Sequence, residues 1–140
     1  MGAWGHEPFS NDDAMDWLNE MLDAEDDEPL IEALGEAAGT EPDEYLEADL
    51  GCIALAAAAL VAALDGYNDG HLPDDLIEWI DDQDDEVIAE LYEKHAPVAR
   101  AAIARVRTNS ELAELWEESD DYQAWLKSLD ELEAALAGAE

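Results

Sequence analysis

The sequence predicts an all-α fold: a single compact helical domain spanning residues 1-140, built from six to eight short helices around an alanine-rich central one. Three observations carry that expectation. Leu and Ile recur at i, i+3, i+4 and i+7 along most of the chain, the spacing of a helix's buried face. No run of alternating β-branched residues marks a strand. The run from Leu50 to Leu64 is 15 residues long, uncharged and mostly Ala, so it is apolar on every side, as a helix enclosed by its neighbours is.

The elements follow in order. Ser10-Asn11-Asp12-Asp13 supplies a cap and first-turn acids, which favour a helix start through the backbone dipole. The helix then runs to about Ala24, with Ala14, Met15, Leu18, Met21 and Leu22 on one face and Trp17 at its edge. Pro29 suits the first turn of a second helix, and Gly39 is placed to end it in the left-handed conformation. After Thr40-Glu41-Pro42 the central helix runs to Leu64, with Gly66 as its stop. Leu72-Pro73-Asp74-Asp75 opens a short helix with Leu76, Ile77 and Ile80 inward and Trp79 flanking. Beyond DDQDDE comes a helix through Tyr92, and Pro97 either kinks it or, the favoured reading, divides it near His95-Ala96 from another helix running from Val98 to Val106. Thr108 and Glu111 are spaced as a capping box, and Ser119-Asp120-Asp121 caps the last helix.

The charge is extreme: 39 Asp and Glu against 5 Lys and Arg, a net charge of -34. Disorder is excluded, because a chain that is 49% apolar with five Trp has enough to bury against its ordering entropy. Two readings of the charge remain. The first is halophilic adaptation: the screening length falls from about 10 Å at 0.1 M salt to about 3 Å at 1 M, so carboxylate repulsion nearly vanishes in brine. It also accounts for the scarcity of Lys, with only Lys94 and Lys127, and for the abundance of Ala. The second is mimicry of nucleic acid, which presents negative charge to a basic groove but does not require Lys to be depleted everywhere.

Motifs for chemistry are sparse. Cys52 stands alone, which rules out an internal disulfide and a Cys-based zinc site and makes it a small core residue. His6, His71 and His95 show no ligand or nucleophile spacing. Asp65 to Leu76 has the Asp and Gly frame of a calcium loop but Tyr67 at position 3 and Leu76 at position 12, so the closing Glu is missing. Paired carboxylates are too widespread to mark a site, although weak surface cation binding fits them. No cofactor or metal site is indicated, and basic patches for nucleic acid are absent. No signal peptide or membrane span is read, which predicts a cytoplasmic protein. Trp79, Arg100, Arg105 and Arg107 are the candidate surface for a protein partner. Trp4, Phe9, Trp17 and Trp116 are expected to be structural, with Trp4 packed into the core and Phe9 bracing the first helix.

Several segments together carry a resemblance. MGAWG at the start, Phe9 to Leu18, Tyr45 to Ala48 with its Ala-rich continuation, LP-x-x-L-x-x-W around Trp79, and NSELAELWEE from Asn109 to Glu118 resemble the uncharacterised domain-of-unknown-function family 4259, in matching order. The chain departs from that pattern at His6-Glu7-Pro8 and at Ala59, where the resemblance implies a Glu. The resemblance implies fold but no reaction. The sequence thus points to a non-enzymatic interaction or regulatory module in a salt-adapted form. The runners-up are a nucleic-acid mimic that binds a DNA-binding protein and a carboxylate enzyme using a divalent metal.

Overall fold

A computed structural model describes residues 12–24, 26–41, 43–67, 72–107 and 110–137. The expectations for Trp4 and Phe9, for Ser10 and Asn11, for Thr108, and for the middle of the calcium-like loop lie outside the described residues. Among the described residues there are seven α-helices: α1 (Asp12–Asp23), α2 (Glu28–Gly39), α3 (Ala48–Leu64), α4 (Asp74–Asp81), α5 (Asp85–Arg107), α6 (Glu111–Glu117) and α7 (Tyr122–Leu136). Among the described residues there is no strand, only an isolated bridge pairing Leu46 with Ser110. The fold is all-α, as the spacing of apolar residues implies.

The centre is α3. Every residue from Ala54 to Leu64 is buried, and the helix packs against α1, α2, α5, α6 and α7. Small side chains make this possible, because Ala projects little beyond the helical backbone and lets neighbours approach. The approach is closest at Gly51, where an added Cβ would stand 3.3 Å from the Leu112 side chain of α6. The helix ends as its glycine predicts. Gly66 takes a φ of +97°, its N–H donates to the Ala63 carbonyl, and the Tyr67 N–H reaches back to Ala62, which satisfies carbonyls the helix leaves open.

Two local expectations are corrected. Gly39 stays helical, and α2 ends instead at an extended Thr40, whose hydroxyl donates to the Glu36 carbonyl at 2.6 Å. The predicted break at His95-Ala96 does not occur, and α5 runs straight through Pro97. Proline removes one backbone hydrogen bond, but Pro97 lies on the exposed side while Tyr92, His95, Ala96, Ala99, Ala102, Ile103 and Val106 form a continuous buried face. Packing of that face on α2 and α3 outweighs the lost bond. Finally, α6 is capped by Ser110, whose Oγ accepts from the Ala113 N–H at 3.1 Å and donates to the Val106 carbonyl at the end of α5.

Glu111, expected in a capping box, acts across the chain. Its carboxylate accepts the Ala48 N–H at 2.9 Å, satisfying an open donor in the first turn of α3, while its own N–H donates to the Leu46 carbonyl at 2.8 Å. The Tyr45 hydroxyl donates to Glu114. Two of the segments that carry the family resemblance, Tyr45 to Ala48 and Asn109 to Glu118, are therefore hydrogen-bonded to one another. Trp116 stacks on Trp125 with ring centroids 6.3 Å apart, and Tyr122 stacks on the same ring at 6.1 Å, tying α6 to α7 through aromatic contact.

Candidate functional site

A cleft of about 430 Å³ opens between the end of α1, α4 and the first half of α5. Each wall follows from local sequence. Met21 and Ala24 come from the end of α1, Asp26 and Asp27 from the turn into α2, and Trp79 from α4, with Gln83 just beyond it. On α5, Val87, Glu90, Leu91 and Lys94 stand at i, i+3, i+4 and i+7, so one stripe of that helix faces the opening. Gln83 Nε2 donates to the Trp79 carbonyl at 3.2 Å, holding the turn that carries the indole.

Asp27 and Lys94 in the cleft lining belong to an ionic cluster with His95. Lys94 Nζ and His95 Nε2 both lie 2.8 Å from Asp27 Oδ2. Lys94 is largely exposed, whereas the His95 ring is buried. The hydrogen bond from Lys94 holds the Asp27 carboxyl below its ordinary value of 3.8. Burial opposes that effect, and the bond from His95 reinforces it. The cluster links α5 to the start of α2 across 68 residues of sequence.

The four candidate partner residues do not form one surface. Trp79 is half-buried in the cleft wall. Arg105 is buried, which corrects its assignment to a partner surface: its Nε donates to the Thr40 carbonyl at 2.9 Å and its Nη2 to the Glu41 carbonyl at 3.0 Å and to Glu44. It satisfies the backbone of the non-helical stretch between α2 and α3, a need no local pattern reveals. Arg107 turns toward α7, with Nε 2.7 Å from Glu133 and Nη2 2.6 Å from Asp130. Burial would lower its pKa, but those two carboxylates outweigh it and the net shift is upward. Arg100 borders a second groove between α5 and α7, beside the same two acids.

Of the structural residues within the described chain, Trp17 and Trp116 are buried, and the Trp17 indole donates to the Pro29 carbonyl at 3.3 Å. Cys52 is buried. Removal from water, with the charges of Asp13 and Asp49 adding to it, pushes its thiol up to about 12, so it stays protonated at neutral pH. The His95 and Asp27 pair is the feature that sequence spacing alone missed. His95 shares the i, i+3, i+4, i+7 stripe of Tyr92, Ala96 and Ala99, and that was the available signal: an inward-facing histidine needs a polar partner.

Among the described residues no group of three or more His, Cys, Asp or Glu side chains is placed to hold a metal ion, and no helix is long and apolar enough to cross a membrane. A family model described as a domain of unknown function, DUF4259, matches residues 2–128. No curated protein and no solved structure matches the chain. With the family match covering most of its length, the chain belongs to the DUF4259 family.

Proposed function

We propose that this chain is a non-enzymatic interaction or regulatory module of the cytoplasm that folds and works in concentrated salt. The observation that carries the salt reading is the placement of acids at helix C-termini. Asp23 ends α1, Asp65 follows α3, Asp81 and Asp82 close α4, and Glu117 and Glu118 close α6, with no basic residue in the last turn of any of the four. A negative charge there opposes the helix dipole, at roughly 0.3–1 kcal/mol each in dilute buffer. Molar salt screens that penalty along with the repulsion between neighbouring carboxylates. Melting temperature measured from roughly 0.1 to 3 M KCl should rise steeply; a melting temperature independent of salt defeats the reading.

The interaction reading draws support from the cleft, which sets half-buried Trp79 and Leu91 and exposed Val87 beside the exposed carboxylates of Asp26 and Glu90. Tagged chain in molar KCl should retain a stoichiometric protein partner. Recovery of none, together with turnover in an activity screen, would defeat the assignment and favour a carboxylate enzyme.

A further inference from the structure

The cleft between α1, α4 and α5 has a floor and a rim of different chemistry. Met21 forms part of the floor, Trp79 and Leu91 are half-buried, and Val87 is 38% exposed, leaving apolar surface open to solvent. Asp26 and Glu90 are exposed at the rim. Lys94 does not neutralise that rim, because its ammonium is held by Asp27. Val87, Trp79 and Leu91 line one cleft, and a docked apolar side chain would remove their remaining exposed area from water.

We propose that this cleft docks an amphipathic helix of a protein partner, one that inserts one or two large apolar side chains and flanks them with Lys or Arg. The proposal rests on the interaction-module reading and names the class of partner. Charge selects it. A rim of Asp26 and Glu90 pairs with a basic flank, whereas a second copy of this chain, at a net charge of -34, brings further carboxylates. Shape selects it too. A volume of about 430 Å³ is within the range of small-molecule sites, but those enclose most of the ligand. This cleft is half open, and a side chain delivered on a helix is covered by the helix that carries it. In molar KCl the field of a charge dies within about 3 Å, so the basic groups act only in direct contact. Long Lys and Arg stems lying on Trp79, with their ends at Glu90, meet that condition.

The test uses the full chain at about 2 M KCl, where screening is nearly complete, and a synthetic helical peptide with Leu at i, i+3, i+4 and i+7 flanked by Lys. Amide shifts in an NMR titration should saturate and centre on Ala24, Gln83, Val87 and Leu91. A Glu-flanked isomer should bind about threefold more weakly, the scale of an exposed ion pair. Glu90→Lys should reverse that preference, and Val87→Asp should weaken the Lys peptide about tenfold by placing a charge in the apolar contact. Both side chains are exposed, and an unchanged circular dichroism spectrum confirms that each variant folds. Shifts centred elsewhere, no saturable shift, or a preference unaltered by Glu90→Lys overturns the proposal. If the wild-type chain and Val87→Asp recover the same partner equally in molar KCl, the docking assignment falls and the interaction reading stands. If neither recovers any partner, both fall.

Discussion

The helices α3 and α4 have opposite relations to water. Of the 17 residues of α3, 13 are buried, and charge appears only at Asp49. Of the eight residues of α4, only Leu76 is buried, and four are acidic. The acids that open α4 favour its dipole, whereas Asp81 and Asp82 at its end oppose it, a cost in dilute buffer that becomes tolerable when the field is screened. The core accordingly carries the stability, and the shell carries charge that the core must hold together. Alanine suits α3 for this reason: it supplies high helix propensity and close packing without asking much of any single side chain.

The largest effect that would sharpen this contrast is Leu60→Ala. Leu60 is fully buried in α3, and removing its side chain among Ala neighbours leaves a cavity that cannot readily collapse. A destabilisation of about 2–5 kcal/mol is expected from chemical melts in molar KCl. A value below about 1 kcal/mol would mean that α3 packs far more loosely than its burial indicates.

An intermediate effect is expected at the cluster that joins α5 to the start of α2. Asp27→Asn removes the charged acceptor shared by Lys94 and buried His95, at about 1–3 kcal/mol. Lys94 is exposed and contributes little of this in brine. The sign with pH follows from the lowered carboxyl. Its contribution is complete above the ordinary value of 3.8 and is lost as pH falls through the lower value of the folded state. The stability gap between wild type and Asp27→Asn should therefore close as pH falls below 3.8. A gap that persists undiminished well below pH 3.8 contradicts the assigned ion pairing.

The smallest effect belongs to α4. Ile77 is 36% exposed, and Ile77→Ser should change stability by no more than about 0.5 kcal/mol in the same melts. A larger loss would show that α4 belongs to the cooperative core after all.

The sequence made the comparison visible in outline. Helical spacing, the uncharged run and Gly66 were sufficient to place a buried central helix and its stop, because those signals are local. What escaped is non-local. Pro97 read as a break because the strength of packing on α2 and α3 is not written in the residues around it. That Ser110 caps α6 depends on where α5 ends. The three arginines, close in sequence, point to different needs, and Arg105 is claimed by backbone carbonyls 61 to 65 residues away. The cleft was legible only as Trp79, since its other walls come from α1 and α5. The ionic cluster joins residues that no spacing rule connects.

The most direct measurement is hydrogen exchange of the α3 amides across a KCl series. These amides lie at the centre of the core and open only with the whole fold, so their protection reports global stability. If the acidic shell is held in place by salt, protection of Ala54 to Leu64 should fall by orders of magnitude between roughly 3 M and 0.1 M KCl, as the screening length grows past the distance between neighbouring carboxylates. Equal protection of α3 at both concentrations would contradict the account.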